Sequence, residues 1–244
     1  MDYAMGIVAL NRPEWVAVES VLYQRPRPRQ FLRTVGQSIA DGHNSLIWAF
    51  LHAEPALDWL LLIDDDAAVH PRTAERLASW GQPLVSALNF SRPPSAHPGI
   101  FDANPDNPMR WKPALDETAD WLTAHPALLA KPYALLDQRP ADSLRPVDAT
   151  GTHCILVHRR VLEGIEPPWF APFPKAGSKK FSGRGSDFYF IIKAARAGFP
   201  PVVDRSVATG HASGRLVVGA YDFLAYYHGN AALAHLAGPA PRKD

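Results

Sequence analysis

Short apolar runs alternate with stretches of helical periodicity through the first 90 residues. Four of these runs predict strands: Met5–Leu10, Phe31–Val35, Trp59–Ile63 and Leu84–Leu88. The third, Trp59–Ile63, is typical of a parallel strand that is buried on both faces. The segments between them predict helices from Asn11 to about Tyr23, Asp41 to about His52 and Arg72 to Trp80, with Asn11 and Asp41 as caps and Gly81 as the stop. Strands that alternate with helices in this way predict an α/β fold with a parallel, doubly wound sheet.

The alternation ends at Ser91. Residues 92–146 are rich in proline, aspartate and tryptophan, and within them mainly 116–122 carries a helical signal. A stretch this long without clear elements is usually functional, so we expect an irregular insertion that covers one side of the site. The pattern then returns with a strand at Val147–His158 that is interrupted at Gly151. Shorter elements follow: helices at Arg159–Ile165, Ser186–Gly198 (capped by Ser186) and Tyr221–His235, and strands at Pro201–Val203 and Val207.

Composition narrows the classes of partner. The 244 residues include 25 Lys and Arg against 24 Asp and Glu, so the net charge of +1 gives no bulk electrostatic case for nucleic acid or membrane. Cys154 is the only cysteine, which excludes an intrachain disulfide and fits a reducing compartment. The first residues lack the pattern of a signal peptide, and no window is apolar over the length of a membrane span. We therefore expect a soluble, cytoplasmic protein.

An acidic cluster follows the third apolar run, Trp59–Ile63. Asp64, Asp65 and Asp66 come directly after it, and strand ends in α/β sheets are where ligands bind. Asp64 and Asp66 alternate, so both can approach one hard divalent cation that in turn holds a diphosphate. Carboxylates this close repel one another, so a cation or hydrogen-bond donors should neutralise them. The alternative is a solvated acidic turn in which an aspartate caps the next helix.

Several stretches together resemble the nucleotide-sugar glycosyltransferases of the GT-A fold, in particular the large inverting family with a DxD motif. Asn11-Arg12-Pro13-Glu14 follows the first strand, and Asp64-Asp65-Asp66 stands where the family has its DxD. Residues 149–159 are similar to the family's central glycine-containing strand, and 186–199 to its Glu-Asp-x-x-Phe helix. Gly210-His211 matches a histidine that often completes the metal site, so the resemblance covers roughly residues 5 to 213.

The resemblance implies a fold and a division of the chain. We expect a Rossmann-like, mostly parallel sheet flanked by helices, in a single GT-A domain over residues 1–244. The nucleotide-binding half would be 1–90, the Pro-rich insertion 91–146, and the acceptor and metal half 147–244.

The resemblance also implies roles for individual residues. Asp66 would ligate Mn²⁺ or Mg²⁺ directly, His211 would be the second protein ligand, and Asp64 would lie nearer the ribose or the waters of the metal. Imidazole beside carboxylate favours Mn²⁺. Asp187 would be the general base, kept ionised by its helix N-terminus, which also lowers its basicity. The remaining roles are nucleotide contacts from Asn11, Arg12, Asn44, Asp64 and Asp65, and an acceptor region with Gly151, Thr152, Lys179, Lys180 and Arg184.

The chain departs from the family's pattern at three places. Ser186 replaces the acidic residue before the catalytic aspartate, which bears on the role of Asp187. Val8-Ala9-Leu10 replaces a Pro-Thr-Tyr, and His43-Asn44 replaces an Arg-Asn, and both changes bear on nucleotide contacts.

Simpler interpretations stand beside these roles. His211 could be a loop histidine with a local hydrogen bond, Asp187 an ordinary helix-start residue, and Lys175–Gly185 a solvated basic loop. Cys154 fits an inert core thiol, because no charged partner is evident. Three tryptophans could stack on a sugar, although core packing is the commoner role of this residue: Trp111, Trp121 and Trp169.

The predicted function is that of a metal-dependent glycosyltransferase, which moves a sugar from a nucleotide sugar, UDP-linked by preference, to an acceptor hydroxyl with inversion. The acceptor could be a glycan, a small molecule or, as in phage-type enzymes, a hydroxymethylated DNA base, which the even net charge disfavours. A catalytically silent nucleotide-sugar or carbohydrate-binding module is the alternative of another class. A nucleotidyltransferase would need a Gly-rich phosphate loop after the first strand, and Leu10–Glu14 is not one.

Overall fold

A computed structural model describes residues 1–92, 96–103, 111–127, 140–172, 185–213 and 216–228. The strands are β1 Tyr3–Ala9, β2 Gln30–Val35, β3 Trp59–Asp64, β4 Ala67–Ala68, β5 Leu84–Leu88, β6 Ile100–Ala103, β7 Trp111–Pro113, β8 Leu144–Pro146, β9 Ala149–Thr150, β10 Cys154–His158, β11 Val202–Ala208, β12 Gly210–Ser213 and β13 Leu216–Val218. The α-helices are α1 Trp15–Leu22, α2 Ile39–Leu51, α3 Thr73–Ala78, α4 Leu115–Ala124, α5 Arg159–Glu163, α6 Ser186–Arg196 and α7 Ala220–Tyr227. A 3₁₀ turn spans Ala141–Ser143.

Seven strands form the central sheet in the order β2-β1-β3-β10-β5-β11-β8. All run parallel except β10 and β8, so the expected mostly parallel α/β sheet is confirmed. β1 lies between β2 and β3, which makes the carboxyl ends of β1 and β3 a topological switch point where ligands bind in such sheets. Because β10 is antiparallel, its first residue, Cys154, pairs with Ile63 at that same edge.

Helices cover both faces of the sheet, which explains why β3 is apolar throughout. Leu60 and Leu62 pack into a layer with helices α2, α5 and α6, whereas Leu61 and Ile63 pack into the opposite layer with α3. Successive side chains of a strand point to opposite faces, so a strand buried on both sides reads as a continuous hydrophobic run. β3 therefore carries its terminal aspartate out of a fully packed core.

The described parts of residues 92–146 are more regular than their sequence indicates. The described part contains strands β6 and β7, helix α4, and strand β8, which completes one edge of the central sheet. Each of these strands has only three or four residues, too short for a period of two to stand out. Arg145 on β8 is bonded to Asp102 and Glu117, which ties β8 to β6 and α4.

Three predicted helix caps are wrong. Glu14, not Asn11, precedes α1, and its side chain makes no capping bond. Ser38 caps α2 by accepting a hydrogen bond from the backbone N–H of Asp41, which lies in the first turn. Gly185 precedes α6 with a φ of 97°, a left-handed conformation that favours glycine, so Ser186 is the first helical residue.

Other boundaries differ through long-range pairing. The segment predicted as one strand at 147–158 forms two, because β9 pairs with β6 in a small sheet while β10 enters the central sheet. The two short strands predicted near 202–207 are one strand, β11, with a register shift after Asp204. The last predicted helix is described as Ala220–Tyr227, and its remainder lies outside the described residues. Within the described parts of the chain, every helix is too short or too polar to cross a bilayer.

Candidate metal and nucleotide site

The acidic cluster lies at the carboxyl edge of the sheet, where a small second sheet adjoins it. Asp64 ends β3, and the chain turns through Asp65 and Asp66 into β4. β4 pairs antiparallel with β12, which brings His211 opposite Ala67, and the backbone N–H of Ala212 donates to the carbonyl of Asp66 over 2.8 Å. This pairing places His211 beside Asp66, as the sequence analysis predicts.

Asp66 and His211 form the closest pair of possible metal ligands. The Nε2 atom of His211 lies 3.0 Å from Oδ2 of Asp66, whose residue is only 3% exposed. Nδ1 of His211 lies 2.8 Å from the carbonyl oxygen of Phe90, so Nδ1 must carry a proton to donate there. Burial works against ionisation of Asp66, but its bonds to His211 and Arg92 outweigh burial and lower its pKa to about 2.

His153 completes the group, although its sequence context gave it no role. Its Nε2 donates to the carbonyl of Gly210 over 3.1 Å, which leaves Nδ1 at 3.2 Å from Oδ2 of Asp64 and 3.8 Å from Oδ1 of Asp66. Burial opposes charge on both His153 and Asp64, yet their mutual bond dominates: the pKa of His153 is raised and that of Asp64 is lowered. The rings of His153 and His211 lie 4.4 Å apart.

The donor set fits a transition metal. One ligand atom each from Asp66, His153 and His211 lies within 4.8 Å of the others. Both imidazoles have one nitrogen fixed by a backbone carbonyl, of Phe90 and of Gly210, which orients the other nitrogen toward the carboxylates. Such outer bonds are typical of metal-binding histidines, and carboxylate with imidazole suits Mn²⁺. Oδ2 of Asp64 bonds to His153, and the role of Asp64 as a ligand or ribose contact stays a prediction.

Arg92 is a further member of the site that no sequence signal indicated. It follows β5 in the Pro-rich segment, and both its Nε and its Nη2 donate to Oδ2 of Asp66. Nε also lies 3.1 Å from Nε2 of His211. The guanidinium thus partly neutralises the acidic cluster. The adjacent carboxylates repel one another, so they need a cation or hydrogen-bond donors close by.

The predicted nucleotide contacts lie around this edge. Asn11 and Arg12 are exposed immediately after β1. The carbonyl of Asp65 accepts a hydrogen bond from the N–H of Glu14 over 2.7 Å, which ties the segment after β1 to the acidic cluster. Burial, followed by the charges of Asp66 and Asp64, raises the pKa of Asp65 to about 6.

Asn44 has a structural role in the fold. Its side-chain amide donates to the carbonyl of Phe170 over 2.8 Å and accepts from the N–H of Phe170 over 2.9 Å. The ring of Phe170 lies between those of His43 and Phe190, at 4.2 and 4.8 Å. Phe190 belongs to α6, so Asn44 helps to seat the helix that carries Asp187. A nucleotide contact from Asn44 stays a prediction.

Asp187 lies close to the acidic cluster, in the first turn of α6. A Cβ atom placed on Gly151 would be 3.9 Å from Oδ2 of Asp187, so Gly151 and Asp187 are neighbours. Burial and the negative charge of Asp64 raise the pKa of Asp187, and the nearby Thr152 and His43 only partly oppose them. The expected lowering of its basicity is therefore wrong, because burial, together with the charge of Asp64, raises the pKa of this carboxyl.

The other predicted residues lie either in the core or outside the described residues. Lys179, Lys180 and Arg184, expected near the acceptor, lie outside the described residues. Cys154 is fully buried, and burial raises the pKa of its thiol, as expected of an inert core cysteine.

The tryptophans mainly serve packing. Trp121 and Trp169 are buried, and their indole N–H groups donate to Asp142 and to the carbonyl of Leu162. Trp111 is half-buried, 5.8 Å from the ring of Phe188, which follows Asp187.

Comparisons with known proteins bear on the fold. No model of a known protein family matches the chain, and no curated protein matches it. Among solved structures, the chain is similar to the viral protein A197 from STIV, with a TM-score of 0.59 over 90% of this chain and 90% of that chain. The two sequences are 13% identical, so the similarity is one of fold.

Proposed function

We propose that this chain is a metal-dependent glycosyltransferase of the GT-A type, which transfers a sugar from a nucleoside diphosphate, UDP first among candidates, to an acceptor hydroxyl with inversion. One observation carries the proposal: the stretches on which the family resemblance rests, far apart in sequence, converge at one edge of the sheet. Asp66 contacts His211 at 3.0 Å, the N–H of Asp64 donates to the carbonyl of His153 over 3.0 Å, and Gly151 adjoins Asp187.

The donor end of the site would hold the diphosphate. Asp66, His211 and His153 are the residues that would hold a divalent cation, which supplies Lewis-acid stabilisation to a departing diphosphate. Asn11 and Arg12, exposed beyond β1, would line the nucleotide at the switch point of the sheet. Asp66 and His153 are buried. Burial keeps water away from these side chains, which strengthens their electrostatic interactions.

The acceptor end would use Asp187. Its carboxylate takes the proton of the acceptor hydroxyl as that oxygen attacks the anomeric carbon and the bond to the diphosphate breaks. The raised pKa of Asp187 makes its carboxylate a stronger base than that of an ordinary aspartate. Ser186, which stands where the family has an acidic residue, is buried and carries a neutral hydroxyl, so it contributes no charge to this region.

The test combines binding with turnover. The protein is screened by thermal shift against UDP- and GDP-sugars with Mn²⁺, and against the same sugars with a chelator. We expect one donor to raise the melting temperature only with metal, because a ligand that binds the native state stabilises it. Asp66→Ala should abolish that shift. The wild-type protein should also hydrolyse the same donor slowly when metal is present. Binding without any turnover would instead support a nucleotide-sugar-binding module, and no metal-dependent donor would contradict the proposal.

A further inference from the structure

Arg92 donates to the carboxylate oxygen of Asp66 that lies 3.0 Å from Nε2 of His211. Nε and Nη2 of Arg92 both donate to Oδ2 of Asp66, and Nε is 3.1 Å from Nε2 of His211. A cation ligated by Asp66 Oδ2 and His211 Nε2 would need the lone pairs of these two atoms. The N–H groups of Arg92 are directed at the same two atoms, so the guanidinium and the cation would compete for them.

The charges and the exposure indicate where Arg92 goes when a cation binds. A dication held by Asp66 repels a guanidinium in contact with it. The side chain of Arg92 is 62% exposed, whereas that of Asp66 is 4% exposed, so Arg92 can swing away while Asp66 stays fixed. Arg92 then lies at the rim of the cation site with its hydrogen-bond donors free, and a diphosphate brought there offers acceptor oxygens.

We infer that Arg92 exchanges partners: it holds Asp66 when no cation is bound, and it binds the diphosphate once a cation occupies the site. This inference rests on the proposed function for the identity of the anion. A guanidinium suits the second task better than an ammonium, because its planar fork matches two phosphate oxygens at once. Arg92 is thereby a binding residue for the diphosphate and a competitor of the metal.

The experiment measures two affinities that respond in opposite directions. Mn²⁺ alone is titrated into wild type and Arg92→Ala, with free Mn²⁺ followed by electron paramagnetic resonance. UDP is then titrated at saturating Mn²⁺. We expect Arg92→Ala to bind Mn²⁺ roughly tenfold more tightly and UDP roughly tenfold more weakly, since charge-assisted bonds are broken on each side. Arg92→Lys should still compete with Mn²⁺, because the ammonium keeps the positive charge. It should bind UDP nearly as weakly as Arg92→Ala, because it lacks the planar fork that matches two phosphate oxygens.

Arg29→Ala is the matched control. Arg29 also pairs with an aspartate, Asp2, but both are exposed and lie by Tyr3, at the opposite end of β1. Arg29→Ala should leave the affinities for Mn²⁺ and for UDP unchanged. Melting curves check that each variant is folded.

Unchanged or weaker Mn²⁺ binding by Arg92→Ala overturns the competition, and unchanged UDP binding overturns the exchange onto diphosphate. If the Mn²⁺ and UDP affinities of Arg92→Ala change as expected but wild type turns over no sugar nucleotide, the proposed function fails while the role of Arg92 stands.

Discussion

Nε2 of His211 lies 3.0 Å from Oδ2 of Asp66, although the two residues are 145 positions apart in the sequence. The contact depends on two short strands, β4 and β12, whose pairing sets His211 opposite Ala67. A carboxylate and an imidazole held this way, with the far nitrogen of the ring fixed by Phe90, would supply two of the three protein ligands of the proposed metal site.

Removing that imidazole should therefore remove the metal. We expect His211→Ala to weaken Mn²⁺ binding by at least about 100-fold, because losing one of three protein ligands costs more than losing an outer partner. Equilibrium dialysis with Mn²⁺ measures the effect. His52→Ala, at an exposed histidine that ends α2, should bind Mn²⁺ as wild type does. Equal losses in both variants would show that His211 is not a ligand.

Metal affinity should rise with pH. Burial opposes a charge on His153, but the bond and charge of Asp64 raise its pKa above the ordinary value, and the proton on Nδ1 must leave before a metal can bind there. Mn²⁺ affinity should thus increase as the pH rises through the elevated pKa of His153, by up to about tenfold per pH unit. Titrations from about pH 6 to pH 9 test this. A flat profile over that range would place His153 outside the ligand set.

Protonation of Asp66 should contribute to the loss of folding stability at low pH. Its pKa is lowered to about 2 from an ordinary 3.8, so its ionised form contributes stability that is present above 3.8 and lost as the pH falls toward 2. The shift corresponds to roughly 2 kcal/mol. Denaturant unfolding should find Asp66→Asn less stable than wild type by about that amount near pH 6, with the gap closing in acid. A gap that persists at low pH would mean that packing, not charge, is the cause.

Asp187→Asn separates chemistry from binding. The amide keeps the shape of the side chain but cannot accept the acceptor's proton, so we expect transfer to fall by at least about 100-fold. Mn²⁺ and UDP affinities should change little, because Asp187 contacts neither in the proposed arrangement. Single-turnover transfer with donor and acceptor measures the chemical step. A variant that transfers at the wild-type rate would remove Asp187 from the role of base.

Asn44 should prove structural. Its two bonds to the backbone of Phe170 are buried in part, so Asn44→Ala should lower the free energy of unfolding by roughly 1–3 kcal/mol. Because Phe170 stacks on Phe190 of α6, transfer should also slow while UDP affinity, measured on folded protein, stays near wild type. A loss of UDP affinity without a loss of stability would restore the nucleotide contact that the sequence resemblance implies.

Strong local signals explain what could be predicted from the sequence. Strands β1, β3 and β5 follow from runs that are buried on both faces, and the acidic cluster follows from the abrupt end of one such run at Asp64. His211 was predicted only through the spacing of a family pattern. The match of β5 to its predicted bounds, Leu84–Leu88, reflects a strand with every residue buried.

The residues that were missed owe their positions to long-range pairing. His153 sits in an apolar stretch with no acidic neighbour in sequence, and only the antiparallel entry of β10 beside β3 brings it to Asp64. Arg92 lies among prolines, where no periodicity indicates direction. The raised pKa of Asp187 could not be predicted either, because burial is a property of the folded chain.

The most direct test is a crystal grown with Mn²⁺ and UDP, with diffraction recorded at the manganese edge. The account predicts one anomalous peak within bonding reach of the Asp66 carboxylate and of Nε2 of His211, with a diphosphate oxygen on the same ion. A peak elsewhere, or UDP bound with no ion beside Asp66, would contradict it.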